Sequence, residues 1–479
     1  MPKIIIRDED LTTAVGSITN SYGVFVPGLA GADAPANRPK AAVEFTSLSK
    51  FKDVFGTQPQ KLKNEANNEY DYGFVYACEL LGAGLPVTYR EIEVPTELTV
   101  TDTWESPGAV SGTSTLTSTP IANTTFDCKD QNGSALEMTT FEVSEGNVIT
   151  FTFDQPTPAP ETPLYLASVT YRTSAPTISE MTVTDVCKLI NGDTYAGLDD
   201  KGMYDISFVT SGGYPTIYQD DDHTSSLVSL LTDVCASRGD CFALIDIDKE
   251  IKIHTLDDVP TALPTGIADA FTVTPWVVVT LNYIGDPDIK EAIMPGSFAY
   301  LKAFATSIKT NNSWFATAGV KRGNVACNGV TEVITNAEAD ALQPEQGGNS
   351  INAITFIKPY GYVIWGNRTL NTNQTGLVAN SFINVRQLVH DIKRQLYIVA
   401  RGLMFDPNDD ILWVNFKNAI TPTLEKMRSG QGISSFRLVR IANNKRGTLT
   451  AKIIIAPIEA VETFELTVEL TDTDMTVTG

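Results

Sequence analysis

Several things are scarce in this 479-residue chain, and each scarcity excludes a class of protein. The six cysteines, at positions 78, 128, 187, 235, 241 and 327, form no CxxC pair, and the three histidines, His223, His254 and His390, lie far apart. The usual spacings of a zinc site are therefore missing, and so few cysteines in so long a chain make no disulfide framework. They read as reduced, mostly buried thiols. No stretch approaches the roughly 18–20 apolar residues of a membrane helix. The N-terminal MPKIIIRDEDL carries a three-residue apolar run, too short for the core of a secretory signal. The expectation is a protein made in a cytoplasm, with no membrane insertion, that leaves the cell by lysis if it leaves. Bases are also few: 35 Lys and Arg stand against 57 Asp and Glu, a formal charge of −22. Phosphate backbones demand the opposite sign, so direct nucleic-acid binding is not expected.

Catalytic motifs are equally thin. A Ser-His-acid hydrolase needs an activated serine, and no serine sits in a GxSxG setting. Asp220-Asp221-Asp222 and Asp246-Ile247-Asp248 lack the spaced ligands and glycine of a calcium loop. Ser211-Gly212-Gly213 after a strand is unaccompanied by GxxxxGK[ST] or GxGxxG and reads as a tight turn. No cofactor, no metal and no enzymatic activity are expected.

What is present is an ordinary folded composition, 42% hydrophobic and 19% charged, at a length suited to about three domains. Ile4-Ile5-Ile6 forms a short strand that can bury little by itself, and Tyr22–Val26 forms another. Ser47–Gly56 reads as a helix with a serine cap and a glycine stop, Tyr70–Leu81 as an amphipathic helix stopped by Gly82 and Gly84, and Val87–Val94 as a strand. From Thr96 to Ala175 the text turns to Ser and Thr, 26 of 80 residues, with alternating β-formers such as Val148–Phe153. That predicts an inserted all-β domain, acidic and outward-facing. Tyr204–Val209, Thr224–Ser237 and Phe242–Ile247 then predict strand, helix and parallel strand, continued by Pro275–Val279 and the helix Ser297–Ala305. Glu338–Ser350 reads as a boundary. Beyond it come Ile354–Ile364 as a strand or strand pair, helices at Phe382–Leu403 and Trp413–Arg428 with a kink or restart at Pro422, and strands at Phe436–Ile441, Leu449–Ala456 and Phe464–Leu470. The last strand alternates Phe464, Leu466, Val468 and Leu470 with Glu465, Thr467 and Glu469.

Charge is unevenly placed. From Arg386 to Lys452 there are twelve bases and five acids, and after Lys452 six acids and no base. A basic region on an acidic chain suggests an acidic partner surface.

The segments Tyr362–Leu370 (YVIWGNRTL), Asn384–Leu388 (NVRQL), Phe405–Asp409 (FDPND) and Ala456-Pro457, in that order and approximate spacing, resemble the tail sheath proteins of contractile phages and related injection machines. Pro275-Trp276-Val277, Met294–Ser297 and Tyr22–Gly28 are looser likenesses, and residues 96–175 lie outside the resemblance. It implies an α/β and α+β multidomain fold: an α/β core carrying an inserted all-β domain, with exchanged terminal strands. The divisions would be an arm at 1–20, core at 21–95, the β insertion at 96–175, a non-catalytic subtilisin-like part at 176–345, and a C-terminal core at 346–479. It further implies hexameric rings stacked around a tail tube, with baseplate and tail terminator proteins as further partners, in the virion tail after assembly in host cytoplasm. Arms would add strands to neighbouring subunits, here Ile4, Ile5 and Ile6 at one end and Phe464, Leu466, Val468 and Leu470 at the other. Lys426 and Arg428, in the last turn of a helix, would face the tube, although the helix dipole favours cations there in any case. Trp365 and Arg368 can stack or bond within one turn, and Asp406–Asp409 has the turn chemistry of a helix–helix connection. A non-contractile structural or adhesin-type protein is the alternative.

Overall fold

The structure is a computed structural model, which describes residues 21–63, 69–95, 97–103, 111–116, 118–121, 124–144, 147–153, 166–174, 177–220, 223–284, 290–345, 349–371, 377–441, 449–458 and 460. Ile4, Ile5, Ile6, Phe464, Leu466, Val468 and Leu470 lie outside these residues. The chain divides into two compact units.

The larger unit takes residues up to Gln60, Tyr70–Ile92 and everything from Val183. Its framework is an eight-stranded sheet. The strands are β1 (Val24–Gly28), β2 (Val43–Phe45), β3 (Val87–Glu91), β4 (Phe208–Val209), β5 (Phe242–Ile245), β6 (Ala270–Thr274), β7 (Asn352–Ile357) and β8 (Gly361–Trp365). In space the order is β2-β3-β1-β4-β5-β6-β7-β8. The six central strands are parallel, and β2 and β8 flank them antiparallel. A parallel sheet is covered on both faces, so its strands are continuously apolar: β1, β5 and β6 are buried at every residue.

Helices α1 (Tyr72–Ala83), α2 (Val228–Arg238) and α3 (Gly296–Ser307) pack on these strands. The amphipathic reading of α1 is corrected: it runs through Gly82, ends at the left-handed Gly84, and is buried from Tyr72 to Leu81. It lies between β1, α3 and the short helix Leu48–Phe55, which leaves it no wet face. Ser47 occupies the N-cap of that short helix, but its hydroxyl meets Ser49 instead of the helix backbone. Gly28 and Gly73 let the end of β1 and the start of α1 touch: a Cβ on Gly73 would lie 2.2 Å from the Pro27 carbonyl oxygen.

Three further readings are corrected. Pro275–Val279 does not continue the parallel sheet. β6 precedes Pro275, which has no N–H for a ladder, and Val277–Thr280 joins a separate antiparallel sheet with Glu291–Met294 and Gly329–Val330. Glu338–Ser350 does not separate two cores either. It contains most of the helix Asn336–Ala341, capped by Thr335, and the next strand, β7, pairs with β6 in the same sheet. Thr224–Ser226 also falls in a hairpin with Ile217–Asp220, so α2 begins at Val228.

The smaller unit, residues 61–69 and 93–182, is β-rich. Two three-stranded antiparallel sheets, Ser111–Thr115/Val148–Phe153/Met138–Ser144 and Glu97–Thr103/Leu166–Ser174/Asp127–Asp130, share a core of Ile149, Phe153, Leu166, Val169 and Tyr171. The buried Tyr171 hydroxyl donates to Asp102, 2.9 Å away.

Candidate assembly interface

The C-terminal part of the larger unit supplies the surface that matters most. α4 (Ile383–Gly402) and α5 (Asp410–Ser429) form an antiparallel pair joined by the expected Asp406–Asp409 turn. Asp409 caps α5 by accepting from the Leu412 N–H at 2.9 Å. α5 is one helix that includes Pro422. The pair closes over Leu388, Ile392, Val399, Phe416, Ile420, Leu424 and Met427, with Trp314 and Ile433 completing the cluster.

The other side of α4 is held by charge. Arg386 donates through Nε to Asp269 at 2.9 Å and again through Nη2, and His390 Nε2 lies 2.7 Å from the same carboxylate. Asp391 accepts from Ser313 at 2.5 Å, Arg394 donates to the Asp240 carbonyl, and Lys393 to the Gly239 carbonyl. Burial pushes the His390 ring down to about 4 despite Asp269 beside it. Burial also opposes ionisation of Asp269, but its hydrogen bond with His390 and the Arg386 charge hold it down at about 2. α4 is thereby fastened to the residue preceding β6.

After α5 comes a hairpin, β9 (Ile433–Ile441) and β10 (Thr450–Pro457), with a register irregularity between Ile433 and Ser435. Its inner face, Phe436, Leu438, Ala451, Ile453 and Ile455, packs on the helix pair. Its outer face is different. Arg437 opposes Ile454, and Val439 opposes Lys452. Arg437, Lys452 and Ile454 are exposed. Among the described residues the hairpin is a two-stranded sheet with no third strand, an arrangement that offers unpaired edges for strand addition.

Lys426 and Arg428 are exposed in the last turn of α5, and Arg428 pairs with Glu425 at 2.6 Å. Trp365 and Arg368 do not pair with each other. The Trp365 indole donates to Asp340, while Arg368 donates to the Pro344 carbonyl and lies over the Phe382 ring. Both line a pocket of about 1040 Å³ together with Trp314, Arg322, Gln431 and Ile458. At the α4–α5 turn Phe405 has φ +71° and is 99% exposed, beside exposed Met404 and Ile411. Sequence reasoning counted Arg437 and Lys452 within the basic region without singling them out, and it passed over Asp269. The signal for the first two was available: the segment Ile433–Ile441 and Thr450–Pro457 holds bases and no acid.

Among the described residues no ring nitrogen of the three histidines is bonded to a serine, threonine or cysteine. His390 meets Asp269, with its Nδ1 unpartnered; His254 lies between Glu332 and Glu338; and His223 is 3.9 Å from Asp220. Asp246 is buried and caps α3 through the Ser297 N–H and hydroxyl. Gly212 and Gly213 form the expected tight turn, at φ +74° and +83°. Among the described residues no cluster of His, Cys, Asp and Glu could hold a metal ion, no helix is long and apolar enough to cross a membrane, and the cysteines are free.

No family model matches the chain. Over 188 residues it is 28% identical to the tail sheath protein of Vibrio phage KVP40, a segment that is 38% of this chain and 27% of that protein. The match therefore spans about a quarter of the curated relative. In fold, the chain is similar to the helical sheath of the anti-feeding prophage in its contracted state, with a TM-score of 0.54, 15% identity, and coverage of 98% of this chain and 99% of that one. The chain thus shares its fold with a helical sheath in the contracted state along nearly all of its length, and is similar in sequence to a phage tail sheath protein along 188 residues.

Proposed function

We propose that this chain is a structural subunit of a contractile tail sheath: it polymerises as stacked rings around a tail tube and contracts to drive the tube through a target envelope. The observation that carries this reading is the likeness of fold over 98% of the chain to a helical sheath in its contracted state. The exposed hairpin β9–β10 supports it, because a two-stranded sheet is a natural acceptor for strands supplied by neighbours. In this reading residues 1–20 and 462–479 are the exchanged arms, with Ile4–Ile6 and Phe464–Leu470 as the donated strands. The β-rich unit built on residues 96–175 faces outward. The partners are further copies in hexameric rings, the tube, the baseplate and the tail terminator, in a virion tail assembled in host cytoplasm. The chain acts mechanically, moving between two packings of the same subunits, and does no chemistry.

The purified protein is expected to form hollow tubes or stacked rings in negative-stain electron microscopy. Removing residues 1–20 or 462–479 is expected to abolish them. Monodisperse monomers at every salt concentration, with no change on truncation, overturn strand exchange and favour a non-contractile protein.

Lys426 and Arg428 are the proposed tube contacts. Lys426→Glu with Arg428→Glu is expected to weaken co-sedimentation with tube about tenfold while self-assembly persists, because like charge at an interface opposes docking. Unchanged co-sedimentation removes the assignment.

A further inference from the structure

Resting on the sheath reading only for self-association, we infer that the α4–α5 turn of one copy is a knob for a socket on a second copy. The socket is the pocket beside Trp314 and Trp365; Phe405 enters it, and Asp406 meets Arg322.

The knob is unsuited to a free surface. Phe405 is 99% exposed and holds φ +71°, a backbone region in which a bulky L-residue is an outlier. Strain of that kind collects at functional contacts. Met404 and Ile411, 61% and 66% exposed, extend the apolar tip. The acids of the turn are divided. Asp409 caps α5 and Asp410 pairs with Arg440, whereas Asp406 is exposed and has no ion pair among the described residues.

The socket has the matching chemistry. At about 1040 Å³ it stands at the upper end of pockets that enclose a small ligand, roughly 300–1,000 Å³, and has room for the tip of a turn. Its aromatic walls are held in place: the Trp314 indole donates to the Gly430 carbonyl at 2.9 Å, and the Trp365 indole to Asp340 at 3.1 Å. Arg322 is its available cation. The Arg322 Nε donates to the Ala316 carbonyl and the guanidinium lies over the Phe315 ring, but among the described residues no carboxylate pairs with it. A guanidinium with open donors takes a carboxylate. The pocket's own acids are Asp340, engaged by Trp365, and the exposed Glu345.

The fold decides that the partner is another copy. α4 and α5 have 20 residues each, a length of about 30 Å at roughly 1.5 Å per residue. Asn384, in the first turn of α4, and Gln431, just past α5, line the socket, while Phe405 is in the turn at the other end of the pair. A chain cannot fill its own socket with its own knob. Two unlike patches at opposite ends of one packed helix pair join copies head to tail, the kind of contact that closes as a ring or continues as a helix.

The test mixes two full-length variants, Asp406→Cys and Arg322→Cys, in equal amounts and treats them with a short bis-maleimide. A linked 406–322 peptide, read by mass spectrometry, can then come only from two copies. Five of the native cysteines are buried and Cys327 is half-buried, so wild type treated alike sets the background. The linked peptide is expected at polymerising concentration and is expected to be lost on dilution below it. Phe405→Gly gives an independent reading. Glycine accepts a positive φ, so this variant is expected to melt no lower than wild type yet to need about tenfold more protein to polymerise. Tubes without the linked peptide overturn the knob and socket and leave the sheath reading standing. The linked peptide without tubes supports the contact and overturns the sheath, and the absence of both overturns both. A link seen only in chains lacking residues 462–479 assigns the socket to the chain's own C-terminal segment. A Phe405→Gly chain that polymerises normally but no longer co-sediments with tube assigns the turn to the tube. Either result removes the proposal.

Discussion

Replacing Asp71 with alanine is expected to cost about 4 kcal/mol or more, enough to remove much of a typical folding margin. Asp71 is fully buried at the start of α1. One carboxylate oxygen accepts from the Gly73 N–H at 3.0 Å and from the Tyr214 hydroxyl; the other accepts from the Leu29 N–H at 2.9 Å and the Phe74 N–H at 3.2 Å. Four donors from three segments converge on one residue, and none can reach water when it is removed. The leavings are buried unpaired donors, each worth roughly 1–3 kcal/mol. Asparagine is expected to rescue little, because its amide N–H₂ would face N–H groups at one of the two positions. Tyr214→Phe, which removes a single donor, is expected to cost only about 1–2 kcal/mol. Chemical denaturation of the three variants checks the order. An Asp71→Asn variant as stable as wild type would show that these contacts do not hold the β1–α1 junction.

Why the sequence announced some of this and hid the rest can be seen at particular residues. The helix pair was readable because α5 bears its own signals, an Asp409 cap, a last turn with Lys426 and Arg428, and apolar residues at Leu412, Phe416, Ile420 and Leu424. The hairpin β7–β8 and the β-rich stretch after Thr96 were readable through period and turn chemistry. Local pattern could not place β6. The run Phe271–Val279 is apolar on both sides of Pro275, and only the sheet as a whole decides which half enters it. It could not show that α1 lacks a wet face, since that depends on α3, more than 200 residues later. Nor could it find the buried carboxylates' partners: Asp71 and Tyr214 are 143 residues apart, and Asp269 and His390 are 121. The terminal strands predicted at Ile4–Ile6 and Phe464–Leu470 fall outside the described residues.

The second large effect is expected at the fastening between α4 and the sheet. Asp269 carries two donations from Arg386 and faces His390, whose ring also packs edge-on against Phe242 of β5. Asp269→Asn keeps the shape but leaves the Arg386 guanidinium, largely buried, without its counter-charge, and is expected to cost about 3 kcal/mol at pH 7.5. The pH dependence has a definite sign. His390 is held down to about 4 from an ordinary 6.5, so the unfolded chain takes up the proton first. Its contribution is complete above pH 6.5 and is lost as the pH falls towards 4, by about 3 kcal/mol in all. Asp269 acts in the same direction further down, between its ordinary 3.8 and about 2. Asp246, which burial pushes up to about 7, works oppositely between 7 and 3.8, so the wild-type curve by itself does not isolate His390. The comparison with His390→Gln does. That variant is expected to be less stable than wild type at pH 7.5 and to close the gap as the pH falls from 6.5 to 4. A gap constant across that window would show that His390 titrates alike in the folded and unfolded chain. Because α4 also carries the core on which the hairpin sits, loosening this ion cluster is expected to weaken polymerisation in Asp269→Asn even at temperatures where the chain remains folded. Sedimentation of the variant beside wild type at 10 °C reads that coupling, and equal polymer yields would confine the cluster's role to stability.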